Sequence, residues 1–256
     1  MTQFQTTITD LSTNDDGRRS GRPRLLVVHT FEGQDLPVER MTDYQSGRLP
    51  HQRTGSYHVV IDAAGRSGRE NDNEFIPWAA GYNGNRIGLH ASLAGQAAFS
   101  REKWLSRTAQ LDTLARWLAH ESRENGIPLE PASIAAIRGS GKGVCSHADL
   151  ARAFPAETDH TDPGPHFPWD HVLALAKRHR DGTAAPAKPA NPPAPAKGTA
   201  MTPEQAQELT ETRHQLAGPS RPGEFPGWPQ LGGRTVVDAL AAIGEKLGIE
   251  GFEGRP

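Results

Sequence analysis

A single cysteine, Cys145, stands among 256 residues. No disulfide can form within one chain, so a reducing folding compartment is expected and the fold must rest on its core. No stretch approaches the roughly 18 consecutive apolar residues needed to cross a bilayer, which excludes a membrane-spanning helix. The first twenty residues hold Asp10, Asp15 and Asp16 and lack the apolar centre of a signal peptide. Arg18-Arg19 leads only to Ser-Gly-Arg-Pro-Arg and a short apolar run. Synthesis in the cytoplasm without a signal peptide, and no stable membrane association, are therefore expected. Charge of one sign is also missing: 28 Lys plus Arg against 30 Asp plus Glu give a net charge of −2. That balance supplies no basic footprint for nucleic acid, so any polymer partner must be recognised locally.

Glycine and proline are plentiful, at 27 and 21 residues, and unevenly spread. Residues 183–200 read TAAPAKPANPPAPAKGTA, with 5 Pro, 7 Ala, 2 Lys and no acid. Such a segment has nothing large to bury and favours polyproline II, so it reads as a linker with a reach of at most about 50 Å. It divides the chain into a flexible, solvated arm over 1–23, a main domain over 24–182 and a small module over 201–256. The module carries 8 acids and 5 bases. Thr202-Pro203-Glu204-Gln205 predicts a helix over 203–216. Thr235 predicts a second, with Val236, Leu240, Ile243 and Leu247 as its apolar stripe.

In the main domain, Arg24-Leu25-Leu26-Val27-Val28-His29-Thr30 suits a buried strand whose polar end emerges at His29. A second strand is expected over 56–62 and a third over 86–90. Trp104, Thr108, Leu111, Ala115 and Leu118 predict one long helix stopped at Asn125-Gly126. A last helix is expected over 169–180. Strands mixed with helices imply an α/β fold. Ten of the eleven histidines precede the linker. His29 at a strand end, His147 in the loop GKGVCSHAD and the carboxylate of the turn HTDPGP make a zinc-type donor set drawn from three segments. On spacing alone, each is equally an ordinary exposed or satisfied polar residue.

The order of the motifs LLVVHT, SYHVVID, WAAGYNGNRIGLHASL, NGIP, GVCSHADL and TDPGPHFPW resembles the type-2 N-acetylmuramoyl-L-alanine amidases, which include phage lysozyme-amidases, and the related peptidoglycan recognition proteins. The resemblance spans roughly 24–170. It implies a mixed, mainly parallel central sheet flanked by helices, with a Zn2+ site at one edge and a groove for bacterial peptidoglycan. The implied reaction is hydrolysis of the amide joining the lactyl group of N-acetylmuramic acid to L-alanine. The implied metal ligands are His29, His147 and Asp162. Cys145 is a rival thiolate ligand, but a ligating cysteine in this family belongs in the later turn, where this chain has Asp162. Three protein ligands leave a fourth position for water, which the metal activates for attack on a carbonyl.

By the same resemblance Tyr57 takes part in catalysis, and His160 stands where a lysine is common. A histidine there changes charge near neutral pH, so activity through His160 is expected to depend on pH. His90 replaces a glutamate found in many bacterial relatives and is assigned, with Trp78, to substrate binding; a structural role is the alternative for each. The whole layout suggests a phage endolysin that reaches the wall after the membrane is permeabilised, with a non-catalytic peptidoglycan-binding module as the alternative. If the tail targets the wall, tethering raises the local concentration of catalyst at an insoluble substrate. Truncation after Gly182 should then leave activity on soluble muropeptides while weakening action on whole walls; equal activity of both forms on both substrates would remove a targeting role.

Overall fold

The computed structural model describes residues 2–45, 55–183 and 231–249. The chain divides into two units, residues 1–192 and 193–256. In the larger unit the strands are β1 (Ile8–Thr9), β2 (Asp15–Arg18), β3 (Leu25–Thr30), β4 (Val59–Ile61), β5 (Ser67–Arg69), β6 (Phe75–Pro77), β7 (Gly88–Leu93) and β8 (Gly143–Ser146). The helices are α1 (Val38–Gln45), α2 (Gly81–Ile87), α3 (Arg101–Leu105), α4 (Thr108–Asn125), α5 (Ile134–Arg138), α6 (His147–Ala153) and α7 (Trp169–Arg180).

Six strands form one sheet in the order β1-β5-β4-β7-β3-β8, and β2 pairs antiparallel with β6 beside it. Within the large sheet only β4 and β5 run antiparallel. This is the mixed, mainly parallel sheet flanked by helices that the sequence implies. β3 is buried on both faces, which explains why it reads as a continuous apolar run rather than an alternation. Leu26 and Val28 join the cluster of Leu111, Leu114, Trp117 and Val172 from α4 and α7. Leu25 and Val27 join Ile137, Cys145 and Leu150 on the other face. Because side chains alternate along a strand, His29 points to the same side as Val27, toward α6.

Several boundaries differ from expectation for physical reasons. The long helix breaks into α3 and α4 at Ser106-Arg107. There the buried Arg107 turns inward to donate to Ala94 O (3.0 Å) and to Asp35 (2.6 Å). Gly126 closes α4 at φ 61°, the left-handed cap that Asn125-Gly126 predicts. Residues 86–87 end α2, so the third strand begins at Gly88 and runs on to Leu93. The second strand is shorter than expected, pairing only over Val59–Ile61. The N-terminal segment is not a solvated arm. β1 pairs with β5, Ser12 Oγ donates to Gln45 O (2.6 Å), and the Arg19 guanidinium donates to Arg86 O, Phe75 O and Gly88 O at 3.0–3.1 Å. Those carbonyls lie inside the domain, and the segment satisfies them.

In the smaller unit, α8 (Val236–Lys246) starts as its capping pattern requires, with Thr235 Oγ1 accepting from Asp238 N at 3.1 Å. Ala239 and Gly244 form its buried positions, while Leu240, Ile243 and Leu247 of the expected stripe are exposed. The helix expected over 203–216 and nearly all of the linker lie outside the described residues.

One buried acid shapes the stability of the larger unit. Glu121 on α4 accepts from Asn73 Nδ2 (2.9 Å) and Asn125 Nδ2 (3.0 Å) through Oε2. Burial nevertheless pushes its carboxyl up to about 7. The folded state therefore binds this proton more tightly than the unfolded chain. The resulting stability is complete below the ordinary carboxyl range near pH 4.5 and is lost as pH rises through about 7. Between those limits Glu121→Gln should flatten the fall in urea stability by about 1.4 kcal/mol per pH unit at most; an unaltered slope in the variant would contradict this.

Candidate metal and active site

β3 and β8 are neighbours and run parallel, with Val27 opposite Cys145 and Val28 opposite Ser146. Their carboxyl ends therefore deliver His29 and His147 to one place. His147 opens α6 directly after β8, and a capping box fixes that turn: Ser146 Oγ accepts from Asp149 N and Asp149 accepts from Ser146 N, both at 2.9 Å. Asp162 arrives from the turn before α7. Its main-chain oxygen accepts from Ala148 N (3.1 Å) and its Oδ2 accepts from Thr30 N (3.0 Å), tying the turn to both strand ends.

The donor atoms converge closely. His29 Nδ1 and His147 Nδ1 are 3.1 Å apart, His147 Nδ1 and Asp162 Oδ1 3.2 Å, and His29 Nδ1 and Asp162 Oδ2 3.4 Å. All three residues are buried. Donors about 2.0–2.1 Å from a tetrahedral zinc lie about 3.3–3.4 Å from one another; the two nitrogens, and each nitrogen with its nearer Asp162 oxygen, stand close to that spacing, and one atom from each residue lies within 4.8 Å of the others. A second observation supports the fit: Asp162 Oδ1 is buried without a hydrogen-bond partner. Burial lowers His29 to about 4, outweighing the opposing pull of Asp162. Its imidazole is thus neutral near pH 7, as a metal ligand requires. Burial alone pushes the Asp162 carboxyl up, but His147 and His29 prevail and hold it well below the usual range, ionised. Cys145 stands apart from this group; it is buried in the core and burial pushes its thiol up, away from thiolate.

The far nitrogens of the two histidines are also occupied. His147 Nε2 lies 2.8 Å from Thr158 Oγ1, and His29 Nε2 lies 2.9 Å from His90 Nδ1. Such outer contacts set which nitrogen keeps its proton. Nothing in the sequence singles out Thr158, because a hydroxyl two residues before His160 carries no periodic or motif signal.

The other expected site residues fall at different depths. The Tyr57 ring lies 4.9 Å from that of His29. Burial, with Asp162 and Glu70 nearby, pushes its phenol up, so it keeps its proton and can donate. His160 stacks on His147, centroids 4.4 Å apart and planes 9° from parallel, with its side chain 58% exposed. Its Nδ1 is 3.4 Å from Asp162 Oδ1. Trp78 is half-buried, its indole donating to Asp16 Oδ1 at 2.8 Å. It lines a cavity of about 420 Å³ together with Asn85, His147, Thr158, Asp159 and His160. His90 requires correction as a groove residue: it is 0% exposed, enclosed behind His29. Its strand position opposite Val27, two residues before the β3 exit, places it beneath the site and out of reach of substrate. Glu70 was not foreseen; it is buried and accepts from Tyr57 N at 2.8 Å.

A family model described as N-acetylmuramoyl-L-alanine amidase matches residues 19–165. The chain belongs to this family. The amidase is accordingly an enzyme of that class. Its fold is shared with the Staphylococcus aureus hydrolase AmiA, solved in complex with its ligand, at a TM-score of 0.54 and 16% identity over 73% of this chain and 89% of that one. It is shared also with AmpD, at a TM-score of 0.52 and 20% identity over 68% of this chain and 99% of that one. Residues 201–251 of the amidase match a second model, described as the Rv3766 C-terminal domain. Among proteins of curated function, none matches the amidase in sequence.

The turn that carries Asp162 depends on a glycine. Gly164 sits at φ 91°, and a Cβ added there would fall 1.9 Å from Ala97 O. Gly164→Ala must therefore shift backbone on one side or the other. It should lower the thermal midpoint by several degrees, a loss of about 1–3 kcal/mol; a wild-type midpoint would show that the turn yields without strain.

Proposed function

We propose that the amidase is zinc-dependent, that His29, His147 and Asp162 hold the ion, and that it hydrolyses the lactyl–L-alanine amide of bacterial peptidoglycan. The observation that carries this reading is the buried triangle of three donors with an unpartnered carboxylate oxygen. Zinc bound there supplies a Lewis acid that activates water and polarises the scissile carbonyl. The protein supplies the remaining groups. The Tyr57 phenol, kept protonated by burial, donates a hydrogen bond to the carbonyl oxygen as negative charge develops on it. His160, exposed beside the ligands, delivers a proton to the departing L-alanine nitrogen. Trp78 offers an aromatic wall along the cavity for the glycan or stem.

The wider setting we propose is a phage endolysin that lyses its host. A catalytic unit over 24–182, a Pro/Ala-rich linker over 183–200 and a small module over 201–256 suit an enzyme directed to an insoluble wall. The N-terminal 23 residues, stitched to the sheet, belong with the catalytic unit in this layout.

Metal content and the release of free L-alanine amino termini from purified peptidoglycan test the chemistry together. The wild type should carry one zinc per chain and liberate amino termini, and His29→Ala should lose both, with turnover falling by at least about 10³-fold. Walls bound by the wild type without new amino termini would instead indicate a recognition module.

A further inference from the structure

We propose that His90 is the positioning residue that fixes the tautomer of His29 and so presents its Nδ1 lone pair to the metal position. The inference rests on the reading of His29 as a ligand but concerns a residue outside the ligand set. His90 Nε2 lies 3.2 Å from Gly84 O, a group that can only accept, so this nitrogen carries the hydrogen. A fully buried ring stays neutral unless its charge is paired, which leaves His90 Nδ1 as an acceptor. The atom facing it, 2.9 Å away, is His29 Nε2. His29 must therefore hold its proton on Nε2, and its Nδ1, the atom facing His147 and Asp162, is bare. Read outward from Gly84, the two rings form a directed chain whose polarity a main-chain carbonyl sets.

The surroundings hold His90 in that pose. Its main-chain N–H donates to His58 Nδ1 (3.0 Å), its main-chain oxygen accepts from His58 N (3.0 Å), and the two rings stack 8° from parallel. Behind His58, the Arg19 guanidinium ties three separate carbonyls together. Space for the ring comes from Gly88, where an added Cβ would stand 2.7 Å from His90 Nε2. The pattern Gly-Leu-His over residues 88–90 is thus a local solution: two residues back on the same face, glycine leaves the volume that the imidazole fills.

Two measurements on the full chain test the proposal. In the first, zinc affinity is measured by chelator competition for wild type, His90→Leu and His90→Asn, with folding checked by circular dichroism. Leucine removes the acceptor, and affinity should fall about 10- to 100-fold; asparagine can present an oxygen in place of Nδ1 and should recover most of that loss. Wild-type affinity in folded His90→Leu, or an equal loss in both variants, would overturn the proposal. In the second, the nitrogen-15 shifts of the His29 ring are recorded for the wild type freed of metal. A protonated Nε2 with bare Nδ1 supports the directed chain, and the opposite tautomer overturns it, whether or not His90→Leu folds. Failure of the wild type to take up zinc would count against the ligand reading alone, since the tautomer is read without the ion.

Discussion

Donor atoms of three buried polar residues crowd together, His29 Nδ1 and His147 Nδ1 3.1 Å apart and an oxygen of Asp162 3.2–3.4 Å from each, and the fold must hold them there. Two of them are imidazole nitrogens, which burial keeps neutral at His29, and the third belongs to a carboxylate that stays ionised despite desolvation. In water such groups would turn apart. Here parallel pairing of β3 with β8 fixes the two strand exits, a capping box fixes the start of α6, and Thr30 N with Ala148 N pins the Asp162 turn. Outer partners then take up the remaining polar atoms, Thr158 for His147 and His90 for His29. Burying these polar groups together is costly, and a cation at their centre, as proposed above, would offset that cost.

The depth of each residue separates the tasks around this centre. Tyr57 stands against His29 with its phenol held protonated, so in the proposed reaction it would offer a hydrogen bond rather than a negative charge. His160 is the exposed partner, stacked on His147 yet open to solvent, the setting the proposed proton delivery requires. His90 has the opposite setting, sealed from solvent among other histidines. Three histidines near one site thus differ in chemistry because burial and partners differ, not because their side chains do.

Much of this was legible in the sequence where the signal is local. The apolar run before His29 and the stop at Gly126 follow from nearest-neighbour rules, and the order of six motifs identified the family, whereas β8 and α6 stand where a loop around His147 was expected. Long-range pairing was not legible. The first twenty residues look like a solvated arm because they are polar and lack an apolar run, yet β1, Ser12 and Arg19 meet groups far along the chain. His90 looked like a groove residue because its motif position is catalytic in many relatives, and only the register with Val27 places it underneath. The break at Ser106-Arg107 was hidden because a buried arginine serving a distant carbonyl resembles a surface helix residue.

The spread of the ligands along the chain has a mechanical consequence. His29 and His147 are 118 residues apart, and Thr30 meets Asp162 across 132. On the proposed reading, an ion held by His29, His147 and Asp162 would be a clasp that closes a very long loop, and closing a long loop restricts the unfolded chain more than closing a short one. The clasp would join β3 to the edge strand β8 and to the turn that leads into α7, so opening the sheet at β8 would also mean releasing the ion. On the proposed ligand set, the clasp could not close during synthesis until Asp162 had emerged, which would make metal capture a late event in the folding of this unit.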